Sequence, residues 1–121
     1  MDRKTIALDF LRAARAGDFA AAERLVAPGA RHHNPYFEAG MLALLDAILA
    51  AAQANPNTTA DVKHVVAEGD CVMVHSHVRH RPEDPGIAVV HIFRFEGDRI
   101  AELWDLAQEI PEQPVNELGM F

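Results

Sequence analysis

The apolar positions of this chain change period once. Ile6, Phe10, Leu11 and Ala14 recur at helical spacing, and Met41, Leu44, Leu45, Ile48 and Leu49 do so again with a stronger stripe. Asp2 can cap the first helix and Gly17 ends it. Asp18 opens a second, shorter helix through about Val26, stopped at Pro28-Gly29, and Asn55-Pro56-Asn57 ends the third. Between the second and third helices, "ARHHNPYFEAG" is irregular, a short strand followed by a loop. Beyond residue 58 apolar and polar residues alternate. Residues 59–68, 71–81, 87–96 and 99–109 read as strands, joined by Gly69-Asp70, by "RPEDPG" and by Gly97-Asp98. Short connections imply antiparallel neighbours.

Helices followed by a strand meander predict an α+β fold. Three N-terminal helices pack on a curved, mainly antiparallel sheet, forming a cone with an internal pocket between helices and sheet. Both faces of the strands are apolar and the helices can cover only one. The other face, with Val72, Val74 and Ile92 pointing outward, is expected to meet a second copy of the chain in a homodimer. At 121 residues and 50% hydrophobic content the chain is expected to form a single domain, residues 1–121, with an extended tail over residues 110–121.

Charge and cysteine content narrow the partners. A net charge of −7 with interspersed signs argues against nucleic acid or an anionic membrane. The first residues carry charges where a signal peptide needs an unbroken apolar run, and no stretch approaches the roughly 20 apolar residues of a membrane span. One cysteine, Cys71, admits no internal disulfide and fits a reducing compartment. Cys71 itself reads as a small buried hydrophobe. A cytoplasmic location is the expectation.

The candidate chemistry sits on the last hairpin, "AVVHIFRFEGDRIAELWDLAQ". His91 is the ionisable residue inside its most apolar strand, and Trp104-Asp105 stands on the partner strand. A two-residue turn at Gly97-Asp98 pairs Glu96 with Arg99 and Phe95 with Ile100. Continued without interruption, that register sets His91 opposite Trp104 and Phe93 opposite Glu102, with Asp105 on the other face beside Val90. A bulge reverses the Asp105 assignment. His75 and His77 share one face of the preceding strand. Three histidines on neighbouring strands suit zinc in composition, but they lack a ligand spacing, so neither metal nor cofactor is expected.

The order of elements, with "HHNP" at 32–35, "CVMVHSHV" at 71–78, "VVHIFRFEGDRIAELWD" at 89–105 and the terminal "NELGMF", resembles the SnoaL-like proteins, relatives of polyketide cyclases in the nuclear transport factor 2-like superfamily. The resemblance implies a cone-shaped fold and a cofactor-independent proton transfer on a hydrophobic carbonyl compound, of the aldol cyclase or isomerase type. It places His75 and His77 on the pocket side and draws a polar residue from the first strand region, here His33 or Asn34. Relatives often have aspartate where this chain has His91 and histidine where it has Leu103, so His91 is expected to replace that acid/base and His91→Asp to be tolerated. His91 and Asp105 are the catalytic candidates. His33, Asn34, Tyr36, His75, His77 and Trp104 are the candidates for contacting a hydrophobic small molecule. The competing readings are a non-catalytic ligand-binding or structural dimer and a protein-interaction module using the sheet face.

Overall fold

A computed structural model describes residues 2–121. Three helices, α1 (Arg3–Arg15), α2 (Phe19–Glu23) and α3 (Met41–Ala54), lie with five strands, β1 (Val26–His32), β2 (Thr59–Glu68), β3 (Cys71–Arg79), β4 (Ile87–Glu96) and β5 (Arg99–Glu109). The sheet is curved and unclosed, in the order β1-β5-β4-β3-β2. β2 to β5 form the antiparallel meander read from the sequence, with β3 ending at Arg79 instead of residue 81. The short segment after α2 is a full edge strand, β1, which pairs parallel with β5. Pro28 and Gly29 inside it mask the strand pattern, and both are tolerated because the strand lies at the edge and its register shifts between Val26 and Arg31. No helix among the described residues is long and apolar enough to cross a membrane.

Local chemistry fixes the helix ends. The Asp2 side chain accepts from Thr5 N at 2.8 Å and that of Asp18 from Ala21 N at 3.1 Å. Gly17, between the first two helices, has φ +76°, open to glycine at no steric cost. The helices bury Ile6, Ala7, Phe10, Met41, Leu44 and Leu45 against Val72, Val74, Phe93, Phe95, Ile100 and Leu103 of the sheet. Phe10 meets Phe93 edge to face, with ring centroids 5.7 Å apart. Each fully buried side chain of this size contributes about 1.5–3 kcal/mol.

Val72 and Val74 are 1% and 0% exposed and face the helices, so the expectation that they point outward is corrected. The period of two was right and the choice of face was not. Two consecutive inward valines lie at the same parity as Phe93 and His91, their cross-strand partners. The outer face carries Met73, Ile92 and Trp104 in one row and His75, Val90 and Leu106 in the next. Beyond Glu109 the chain bends and turns at Asn116–Gly119, and Phe121 comes to rest on that outer face. Its ring lies 5.1 Å from His75 and 4.7 Å from His77, with Lys63 Nζ 5.4 Å from its centroid.

The β3–β4 connection closes through Gly86, at φ +87°. A Cβ there would lie 2.4 Å from Val78 O and 2.6 Å from Arg79 Cγ. Gly86→Ala is expected to cost more than about 1 kcal/mol in urea denaturation. An unchanged midpoint would refute this close approach.

Candidate functional site

The hairpin of β4 and β5 starts in the expected register, Glu96 with Arg99 and Phe95 with Ile100, and then slips. Arg94 pairs with Glu102, so Ala101 is the extra residue of a β-bulge. Every later pair moves by one. Phe93 faces Leu103, Ile92 faces Trp104, and His91 faces Asp105. The pairing of His91 with Trp104 is thereby corrected, and the two catalytic candidates share the face that looks at the helices.

They line a cavity of about 230 Å³ between helices and sheet. Leu11, Ala14, Ile48 and Ala52 form its helical wall and Ser76, Val78 and Val89 its sheet wall. Arg15, Thr58 and His80 lie along the same lining. A larger groove of about 660 Å³ runs beside Arg24, Pro28 and Leu42, but it holds no buried polar atom that lacks a partner. The smaller cavity does. Among the described residues, His91 Nδ1 is the buried side-chain nitrogen or oxygen without a hydrogen-bond partner. An orphaned ring nitrogen is costly to bury and points to a ligand or water. Burial pushes the His91 pKa from 6.5 down to about 4, with the Asp105 carboxylate opposing the shift. The ring is neutral at pH 7.

Asp105 is held from the loop that follows β1. Asn34 Nδ2 donates to Asp105 Oδ2 at 3.1 Å, and Asn34 Oδ1 accepts from Tyr36 N at 3.0 Å. The loop that carries Asn34 is set by buried His32. Its Nδ1 accepts from Asn34 N at 3.0 Å, and its Nε2 donates to the Glu38 carbonyl. This network fixes both the His32 tautomer and the orientation of the Asn34 amide.

Five contact candidates lie elsewhere. Tyr36 is 86% exposed and contributes its backbone N–H alone. His75 and His77 lie on the outer face with Phe121 because their parity is opposite to that of Val74 and Ser76. His75 Nδ1 is 3.0 Å from His64 Nδ1, and His77 Nε2 donates to Pro85 O at 2.7 Å. Trp104 and His33 stack on one another, 4.9 Å apart and 7° from parallel, outside the cavity. His33 belongs to a second cluster around Glu102, which the sequence reading missed. Glu102 takes His33 Nε2 at 2.5 Å, Arg94 Nε at 3.0 Å and Arg31 Nε at 3.4 Å. His33 first and Arg94 second hold the Glu102 pKa down to about 2. The signal was present, since Arg94 and Glu102 flank the turn, but the uninterrupted register hid it. Ser76 and Arg15 were likewise missed, each for want of any motif around it. Among the described residues no group of three or more His, Cys, Asp or Glu is arranged to hold a metal.

The low His91 pKa has a stability consequence. Above pH 6.5 the imidazole is neutral whether the chain is folded or unfolded. As pH falls from 6.5 toward 4 the unfolded chain takes up the proton and the folded chain does not, so stability drops, by up to about 3 kcal/mol, and below pH 4 this loss is complete. His91→Gln should flatten this part of the pH dependence in urea titrations. An equal slope in variant and wild type rejects the burial argument.

The sequence profile of the SnoaL-like domain family matches residues 7–103. Among solved structures, a candidate polyketide cyclase from Sinorhizobium meliloti superposes with TM-score 0.70 at 23% identity, over 84% of this chain and 94% of that one. A candidate hydroxylase from Streptomyces galilaeus gives 0.72 at 22% identity, over 88% of each chain. An NTF2-like protein of unknown function from Cytophaga hutchinsonii gives 0.67 at 15% identity, over 89% and 91%. A sequence search of curated proteins finds no match.

Proposed function

The chain belongs to the SnoaL-like domain family, and on that footing we propose that it is a small enzyme moving a proton next to the carbonyl of a hydrophobic small molecule. The observation that carries this reading is the buried, unpartnered His91 Nδ1 directly across from Asp105 in a mainly apolar cavity. Asp105 is the base. Its carboxylate takes the proton from the carbon beside the carbonyl, breaking the C–H bond and forming O–H, and the electron pair moves to the carbonyl oxygen as an enolate. His91 is the donor to that oxygen. A ring whose pKa is about 4 is a weak base, but its neutral N–H donates without titrating, and such a donor in a dry site stabilises an enolate strongly. Asn34 positions Asp105. Return of the proton to a different carbon gives isomerisation, and attack of the enolate on a second carbonyl gives an aldol product. The step as written needs no cofactor.

The shared face also changes one expectation. His91→Asp would set two carboxylates on directly facing residues, and like charges so placed compete for one proton. Loss of activity is therefore expected, not tolerance. Exchange of α-hydrogens for deuterium, followed by NMR on simple ketones, reads the first half of the reaction. Asp105→Asn should slow it by about 10²–10⁴-fold and His91→Phe by about 10²–10³-fold. Wild-type exchange no faster than in buffer would remove the proposal.

We place a second copy of the chain on the outer sheet face. Met73 and Leu106, 37% and 57% exposed, flank Ile92 and Trp104 there, an apolar surface the helices do not reach. Sedimentation velocity should show a dimer at micromolar concentration, and Ile92→Lys should shift it to monomer. A monomeric wild type would sink this assignment.

A further inference from the structure

We propose that Arg15 binds the anionic end of the ligand, so that the cavity takes a small carboxylate whose carbonyl end meets His91 and Asp105. The carbonyl end rests on the proton-transfer reading above, and the anionic end does not. Arg15 stands on the last turn of α1, next to Ala14 and one turn from Leu11, both on the cavity wall. Its side chain is partly buried, yet among the described residues it makes no hydrogen bond and no ion pair. The other partly buried arginines are all engaged. Arg3 donates to the carbonyls of Gly97 and Gly69, Arg79 reaches Pro82 O, and Arg94 is tied to Glu102 and Glu96.

Arg15 is held in worse surroundings than any of these. Desolvation by its neighbours lowers its pKa, and the one nearby charge acting on it is Arg12, which repels it. A guanidinium cannot shed its proton to escape that cost. An anion arriving in the cavity relieves both effects, and the apolar surroundings of Ile48 and Val89 strengthen the pair relative to water. Thr58 Oγ1, on the same lining, already donates to Asn55 O at 2.8 Å and lies 3.0 Å from His80 Nδ1, so neither atom is left to donate to the anion and Arg15 is its partner. The lining has a carboxylate at Asp105 and an uncompensated cation at Arg15, and a ligand with a carbonyl at one end and a carboxylate at the other matches that polarity.

Matched probes test it. Binding of 3-phenylpropanoate and of its neutral amide is measured by calorimetry on the wild-type chain, Arg15→Gln and Arg15→Lys, with thermal unfolding confirming that each variant folds. The carboxylate should bind wild type about tenfold tighter than the amide. Arg15→Gln should abolish that preference and Arg15→Lys should keep most of it. Equal binding of acid and amide, a preference that survives in Arg15→Gln, or no binding of either probe at millimolar concentration each overturns the proposal. Deuterium exchange at the carbon next to the ketone of 3-benzoylpropanoate and of its methyl ester reads the chemistry separately. Exchange in both without any acid preference in binding leaves proton transfer standing and removes the role of Arg15. Acid preference that depends on Arg15 without exchange does the reverse.

Discussion

Ile100 and Leu103 are both fully buried, at 0% and 1% exposure, and they stand three residues apart on one strand. A strand with strict alternation cannot turn both to the same face. The extra residue at Ala101 resolves this, and every residue of β5 beyond it inherits the new parity. The bulge puts Asp105 across from His91 on the inner face and Glu102 across from Arg94 on the outer one. Without it, Asp105 would stand outside the cavity and Glu102 would lie against Phe93 in the core, a charge in an apolar site with no cation near it.

The bulge gives two carboxylates on one strand opposite surroundings, and the residues just after β1 supply each with a partner. His33 and Asn34 are the two residues that follow the end of that strand. His33 turns to Glu102 and Asn34 to Asp105. Glu102 is compensated by an imidazole and two guanidinium groups and has little left to offer a ligand. Asp105 has an amide donor and faces a neutral imidazole, so its charge is oriented but not cancelled. A carboxylate of the first kind stabilises a fold, and one of the second kind is suited to accept a proton. The parallel pairing of β1 with β5 is what allows one short segment to serve both, because it brings His32 and His33 level with Leu103.

Much of this was legible in the sequence. The helix starts at Asp2 and Asp18 and the strand limits at 59–68, 87–96 and 99–109 follow from caps, turns and period. The face of each strand was harder. On β3 one parity reads Val72, Val74, Ser76 and the other Met73, His75, His77, and neither is polar enough to be named the solvent side. Only packing against Phe10 and Leu44 settles it, a contact between segments far apart in the chain. On β5 the clue was local. Apolar residues at spacing three, Ile100 and Leu103, are incompatible with a regular strand if both are to enter the core, and that conflict marks the bulge. β1 was obscured by Pro28 and Gly29, which are permitted by an edge that a sequence pattern does not reveal.

The departure from the family pattern at His91 then has a physical reading. The resemblance places an aspartate at that position, and here the carboxylate stands one strand over, directly across. With Asp105 in place, a second carboxylate at residue 91 would force the pair to share a proton and leave neither freely charged. An imidazole avoids the conflict because burial keeps it neutral, so it adds no charge beside Asp105 while keeping one nitrogen to donate and one to accept. Burial depresses an imidazole pKa and opposes ionisation of a carboxylate, and the imidazole is the group whose required state, neutral, burial favours. The deeper position, flanked by Val74 and Phe93, therefore suits His91, and the position within reach of Asn34 suits Asp105. Exchanging the two residues would bury the carboxylate where no donor meets it and leave the amide of Asn34 facing an imidazole. The order His91 on β4 and Asp105 on β5 is the arrangement that keeps the carboxylate within reach of Asn34 and a neutral imidazole directly across from it.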